Sequence, residues 1–514
     1  MSDFLAKVLD YYDITLAEYE RLSAPVSKND LPDPRLFTNF STFISRIEEA
    51  INNDEKVVIY GDYDADGILA TSILKKAFLK RNKDVFTMIP SRYKDGYGLN
   101  VNVVNRLHKR GITLIITVDN GISAFKAVSH ARNLGIDVLV SDHHEISDAL
   151  PDANAILHPE LSSLPALNSC GAFMALVISY GLLGEYDDYL IALAAIATLA
   201  DMMPLYERNR TLVKLGIDIL NKNLYFNLLT LNNSSLFDET ALGMKVAPRI
   251  NALGRLSQNY EANILVEYFI TEDKKRIYDI AAYIEKVYAE RKALSRATPL
   301  DEEDVKDAAI VLLTNELEGV LGLLANNYLM TYNKPTLIFT ESSEDESLIK
   351  GSARSSSGFN VVDAFSHLSN YILASGGHPE AGGLTIKRED FDTFRKEFIA
   401  FAKDNPLRPK KEKYLHISPH ELTPENYRII DNIAPFGFKF ATPNIKISAA
   451  NTLDFTFSRD GKHIITTLNN GIKLIGFNLA STVKELKEFS IYGTFSKSEF
   501  RGKTSVELKI NNIE

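Results

Sequence analysis

The chain has 514 residues, Lys+Arg 57 against Asp+Glu 67 for a net charge of −10, 45% hydrophobic and 24% charged residues, which excludes a disordered, collagenous or strongly basic chain and asks for two or more domains. One cysteine, Cys170, excludes an intramolecular disulfide and any CxxC zinc pattern, and predicts a reducing, cytoplasmic setting. The opening MSDFLAKVLDYYD carries no secretion signal, and the longest apolar runs, such as 190–200, are too short for a bilayer, so no membrane partner is expected.

Residues 1–45 are read as an N-terminal extension. VVIY (57–60), LIITV (114–118) and DVLV (137–140) are β-branched runs separated by helix-length segments, which predicts a parallel sheet with helices on its faces. After the first run, Ile68, Leu69, Ile73, Leu74, Ala77 and Phe78 form one helical stripe, with Lys75, Lys76 and Lys80 off it. This α/β catalytic domain is set at 46–230. A connecting segment follows at 231–300, where 260–296 predicts one long, charge-laced helix. AAIVLLT (308–314), PTLIFT (335–340) and GLTI (383–386) then predict a second, smaller α/β domain over 301–405. KDNPLRPKKEK (403–413) reads as a linker. In the last domain, 406–514, the segments IKIS, TLDFTF, HIITTL, IKLIGF, FSIYGTF and SVELKI predict a small β-barrel.

The acids fall in a pattern. Asp62, Asp64 and Asp66 (GDYDADG) follow the first strand, Asp119 (VDNGIS) the second, and Asp142, His143 and His144 (SDHHE) the third. In open parallel sheets functional groups gather beyond the carboxyl ends of the strands, so these belong to one site. Crowded carboxylates repel by about 1 to 4 kcal/mol per pair at 4 Å, and divalent cations relieve that repulsion. Asp-rich sites with imidazole suit Mn²⁺ or Mg²⁺, and a pair of such ions suits hydrolysis of a phosphate ester. Taken singly, DxDxDG also fits a Ca²⁺-binding turn or a solvated loop, and VDNGIS an ordinary Asn-Gly turn.

The series GDYDADG, VDNGIS, SDHHE, ATLADMMPL (197–205) and PRINALGRL (248–256), followed by GSARSS (351–356) and SGGHPEAGG (375–383), resembles the DHH phosphoesterase superfamily, and within it the RecJ family of 5′→3′ single-strand-specific DNA exonucleases. The resemblance covers about 35–405 and implies a DHH catalytic domain, a DHH-associated domain and a C-terminal OB-fold. It implies two Mn²⁺ or Mg²⁺ ions on Asp62, Asp64, Asp119, His143 and Asp201, with Asp119 as the bridge. His144 would sit beside the scissile phosphate, with Asp66 and Asp142 holding the loop and orienting a ligand. Some members carry histidine where this chain has Tyr60, which implies fewer protein ligands at one ion and a stronger dependence on free Mn²⁺.

For substrate, Arg249, Asn251 and Arg255 lie in a segment read as loop, where arginine suits phosphate. Ser352, Arg354, Ser355, Gly377 and His378 lie in glycine- and hydroxyl-rich stretches read as phosphate-cradling loops. Residues 407–514 carry 16 Lys+Arg against 11 Asp+Glu, leaving −15 on the remainder. Interleaved Phe455, Phe457, Phe477, Tyr492, Phe495 and Phe500 with Lys473, Lys497, Arg501 and Lys503 match a single-strand-binding surface, on which one or two rings stack on bases while the others fill the core. The implied function is removal of mononucleotides from the 5′ end of single-stranded DNA in recombination and repair, with a helicase and a single-strand-binding protein as partners. The alternatives are a phosphodiesterase of short oligonucleotides or cyclic dinucleotides, and a non-catalytic DNA-binding relative. At PFGFKFATP (435–443) the chain departs from the family's usual Gly-Asn turn.

Overall fold

The computed structural model describes residues 2–514 apart from 165–167, 344, 409–411, 449 and 501–502. It opens with α1 (Asp3–Tyr12), α2 (Leu16–Ser23) and α3 (Phe40–Asn52), the last beginning inside the segment set apart at 1–45. Then β1 (Val57–Tyr60), α4 (Ala65–Lys80), β2 (Phe86–Met88), α5 (Val101–Lys109), β3 (Leu114–Val118), α6 (Phe125–Asn133), β4 (Asp137–Ser141) and β5 (Ala155–Leu157) alternate. The five strands form a wholly parallel sheet ordered β2-β1-β3-β4-β5. Side chains alternate across it: Val57 and Ile59 enter one core with α4, while Val58 and Tyr60 enter another with α5 and α6. The chain leaves β1 for one side of the sheet and returns to β3 on the other, so the crevice between the ends of β1 and β3 is the topological switch point.

Apolar helices α7 (Gly171–Leu183) and α8 (Asp188–Ala200) pack on α4, followed by α9 (Glu207–Leu220) and α10 (Phe226–Asn232). PRINALGRL is helical, in α11 (Ala247–Arg255), which corrects the loop reading: α11 runs on directly from a π-helical stretch at Ala241–Val246, and Pro248 sits just past that junction. The segment 260–296 is likewise two helices, α12 (Asn263–Ile270) and α13 (Lys274–Leu294), with Asp273 capping the second through the N–H groups of Lys275 and Arg276.

The second α/β unit comprises α14 (Glu302–Lys306), β6 (Ile310–Thr314), α15 (Leu321–Tyr332), β7 (Thr336–Glu341), β8 (Leu348–Arg354), α16 (Val361–His367), β9 (Ile372–His378), β10 (Ala381–Lys387) and α17 (Phe391–Asp404). Its sheet runs β6-β7-β8-β10-β9, antiparallel beyond β7. GSARSS and SGGHPEAGG are therefore largely strand, not loop. Small residues there keep the sheet surface low: a Cβ on Gly383 would meet only Gly351 O, at 3.7 Å.

The last unit has β11 (Tyr414–Ile417), α18 (Pro424–Asp431), β12 (Asn444–Ile447), β13 (Ile464–Thr467), β14 (Lys473–Gly476), α19 (Ala480–Glu485), β15 (Ile491–Phe500) and β16 (Lys503–Ile513), in a six-stranded sheet ordered β11-β12-β15-β16-β14-β13. TLDFTF is not a regular strand; it contributes a single bridge, Phe457 to Ile464. Phe4, Val8 and Tyr19 of α1 and α2 are buried in this unit's core with Leu415, Ile430 and Ile491. From α9, Arg210 reaches the carbonyls of Ile433, Ala434 and Pro435. No helix among the described residues is long and apolar enough to cross a membrane.

Candidate metal centre and anion pocket

The carboxylates meet at the switch point. Asp62 is buried just past β1, and Asp64 caps α4 by accepting the Gly67 N–H at 3.1 Å. Asp66, in the first turn of α4, accepts the N–H groups of Gly171 and Ala172 at 2.6 and 2.8 Å and so ties the start of α7 to α4. Asp119 follows β3 with φ +62°, a left-handed conformation that aspartate tolerates better than most residues. A Cβ on Gly171 would lie 2.5 Å from Asp119 Cβ, so only glycine lets α7 start this close. His143 Nε2 lies 3.0 Å from Asp119 Oδ1, 3.6 Å from Asp66 and 3.7 Å from Asp201, which ends α8.

Asp142 organises the His pair. It accepts from the backbone of Ile122, His143 and His144 and, at 2.7 Å, bonds His144 Nδ1. Burial alone pulls the His144 imidazole down, but the bond to and charge of Asp142 outweigh it and raise it to about 9. Burial pulls the His143 imidazole below its ordinary value, which favours the neutral ligand form. Tyr97, between Gly96 and Gly98 at φ +75° and +70°, places its hydroxyl 3.2 Å from His144 Nε2. The Tyr60 hydroxyl donates to Gly98 O, and its ring belongs to the core of the opposite sheet face.

The donor atoms fit divalent cations. Asp62, Asp64 and Asp119 each offer an oxygen within 4.8 Å of the others, as do the ligand atoms of Asp66, His143 and Asp201. Asp62 Oδ1, Asp119 Oδ1 and Asp201 Oδ2 are buried and accept no hydrogen bond. Burial first, and neighbouring carboxylates second, raise the pKa of Asp62, Asp119 and Asp201. The stability contributed by acids raised above their unfolded values is fully present below about pH 4 and is lost as pH rises through the raised values, about 7 for Asp62 and about 8 for Asp201. In chelator, then, the melting temperature is expected to fall between about pH 6 and about pH 8, and Mn²⁺ is expected to remove the fall. Thermal unfolding with and without metal checks this; a flat or rising profile in chelator would contradict it.

Beside the carboxylates, a cavity of about 560 Å³ is shared by the catalytic body and the second α/β unit, with Arg92, Arg255, Lys350, Ser352 and Arg354 in its lining. Burial, then the charges of Arg92, Arg291 and Arg354, pull Arg255 down to about 10, and burial lowers Arg354. Arg255 donates to Gly319 O and Arg354 to Ser352 Oγ, each at 3.2 Å, while Arg92 lies over the Tyr63 ring. Lys350 is paired with Glu318. Guanidiniums converging in partial burial favour an anion between them. The remaining expected substrate residues lie elsewhere. Arg249 pairs with Glu285 at 2.8 Å, and Asn251 accepts the Ala65 N–H at 2.8 Å, bracing α4. Ser355 is buried and donates to Phe359 O, Gly377 lines a separate groove at the sheet edge, and His378 is exposed at the end of β9. Arg92 escapes the sequence reading because β2, the strand before it, is three residues long and opens with an exposed phenylalanine.

In the last unit Phe495 is core, Phe455 and Phe457 pack against it, Lys473 is half-buried, and Lys497 pairs with Asp431. Phe477 is 69% exposed, and Tyr492 touches Tyr414 under Lys446. Arg501 and the side chains of Phe500 and Lys503 lie outside the described residues.

Residues 56–200 match the DHH family, N-terminal domain, 305–404 the DHHA1 domain, and 415–512 the RecJ OB domain. The chain is 32% identical to the single-stranded-DNA-specific exonuclease RecJ of Bacillus subtilis across 100% of its own length and 68% of the relative's. It is 27% identical to the Escherichia coli protein of that name, across 90% and 88%. Its fold matches the crystal structure of RecJ in complex with Mn²⁺ from Thermus thermophilus with a TM-score of 0.80, at 24% identity over 99% of this chain and 76% of that one. A crystal structure of exonuclease RecJ bound to manganese matches at 27% identity and a TM-score of 0.61, over 74% and 97%.

Proposed function

Because this chain belongs to the RecJ family of single-stranded-DNA-specific exonucleases, we propose that it hydrolyses single-stranded DNA from the 5′ end and releases mononucleotides. One observation carries the reading: a cluster of buried carboxylates and one neutral imidazole adjoins a pocket of converging guanidiniums. The first suits a scissile phosphate held on cations, and the second suits the doubly charged phosphate of a strand's 5′ end.

Asp62, Asp64 and Asp119 would hold one Mn²⁺ or Mg²⁺ ion, and His143 and Asp201 a second, with Asp119 between them. Such ions supply positive charge to the developing phosphate oxyanions and acidify water. The chain's own residues do the rest. Asp66 and Asp142 orient the metal-site loops through the backbone bonds described above. His144, with Nδ1 fixed on Asp142, turns Nε2 outward as a hydrogen-bonding group for the scissile phosphate. Arg92, Arg255, Arg354 and Ser352 seat the terminal phosphate and so fix which bond reaches the cluster. The buried, unpaired Cys170 accords with a cytoplasmic setting. An enzyme confined to single strands needs them exposed and protected, which supports a helicase and a single-strand-binding protein as partners in recombination and repair.

Strands labelled at either end test the reading. The 5′ label is expected to appear at once as mononucleotide, and the 3′ label only at the end, in a Mn²⁺-dependent reaction that duplex resists. Early release of the 3′ label, or faster turnover of a dinucleotide than of a long strand, would overturn it.

A further inference from the structure

A second cavity opens at His143, and it shares no lining residue with the pocket of Arg92, Arg255 and Arg354. It measures about 680 Å³ and is bounded by His143, Ser169, Tyr206 and Arg208 of the catalytic body and Lys439 of the C-terminal unit. Two hydrogen bonds stitch its seam: the Leu205 N–H donates to Phe438 O at 3.1 Å, and the Tyr206 hydroxyl to Lys439 O at 3.0 Å.

The seam holds three large apolar side chains in solvent. Met202 is 62% exposed, Tyr206 51% and Phe438 45%. Tyr206 lines the cavity itself, and Phe438 stands next in sequence to Lys439, which also lines it. Lys439 Nζ lies 5.8 Å from the Phe438 ring centre, and Lys439 itself is held at φ +61°, a region lysine seldom adopts. That φ is set by the tight turn Gly437–Phe440, whose two end residues exchange backbone hydrogen bonds and which presents Lys439 at its tip. Inside the cavity, Ser169 Oγ is buried with no hydrogen-bond partner. Glu160 and Glu207 also border the space, so its field is mixed and ring faces, rather than net charge, dominate its chemistry. Exposed rings with cations beside them are what single-stranded nucleic acid stacks upon.

We infer that this seam binds the nucleotide on the 3′ side of the scissile bond, its base against Tyr206 and Phe438 and the following phosphate beside Arg208 and Lys439. The inference rests on the exonuclease reading, and its direction follows from the flanks. With the 5′ phosphate among Arg92, Arg255 and Arg354 next to Asp62 and Asp64, the strand must leave the cluster past His143 and Asp201. The seam is then the first surface it meets.

The test measures release of the first mononucleotide from a 5′-phosphorylated strand carrying an abasic unit at the second position. For the wild type this unit is expected to raise KM roughly tenfold over the intact strand. The double variant Tyr206→Leu, Phe438→Leu should raise KM for the intact strand by a similar factor and become indifferent to the abasic unit. Tyr206→Phe keeps the ring and should behave as wild type, which separates stacking from a disturbed seam. A wild type that digests the intact strand but ignores the abasic unit overturns the seam and leaves the exonuclease reading standing, as does a double variant that still feels that unit tenfold. A wild type that digests no single strand overturns both.

Discussion

Asparagine in place of Asp119 is expected to lower turnover of single-stranded DNA by at least about a thousandfold while raising the melting temperature of the metal-free protein. Asp119 connects the two triads: its oxygen belongs to the set with Asp62 and Asp64 and lies 3.0 Å from His143 of the other. Asparagine keeps the shape, so Gly171 and the start of α7 stay in place, but it removes a charge from a cluster that cations relieve. The two effects have opposite signs for one reason. In chelator the missing charge removes repulsion among buried acids, and in Mn²⁺ it removes a ligand. Digestion of labelled strands and metal content of the purified protein check the first effect, and melting in chelator the second. An Asp119→Asn protein that degrades DNA at the wild-type rate would sink the metal assignment.

The second large effect concerns Arg354. Alanine there is expected to raise KM for a 5′-phosphorylated strand by roughly 10 to 100-fold, the range of a charge-assisted contact worth about 1.5 to 3 kcal/mol, while a 5′-hydroxyl strand changes little. Preference for the phosphorylated end should therefore nearly vanish. The fold should tolerate the change, because burial already disfavours this guanidinium and removing it relieves the neighbouring Arg255. Competition between the two strand types measures the preference. Equal losses on both would show that Arg354 supports the fold instead of reading the end.

The gathering of carboxylates and imidazoles at one edge was largely legible because strand ends are. Asp62, Asp64, Asp119 and His143 each follow an apolar β-branched run, and the parallel order of β1, β3 and β4 carries them to one edge. Asp201 was not legible this way: it ends an apolar helix, and only the resemblance singled it out. Arginines were harder. Arg249 and Arg255 are six residues apart on α11, yet one faces Glu285 and the other the cavity, a difference of helical facing that composition does not encode. Glycine- and serine-rich composition points to loops, whereas β8 and β10 owe their pairing to neighbours distant in sequence.

Tyr19 donates to Ile429 O across 410 positions of chain, and α1 and α2 find their apolar partners in the last unit. During synthesis at roughly 5 to 20 residues per second, the faces bearing Phe4, Val8 and Tyr19 emerge early and wait tens of seconds for their seat. The catalytic sheet can close meanwhile, since it borrows nothing from them. A segment translated ahead of the catalytic sheet is thus among the last to fold, and for that interval it is a natural client for a chaperone.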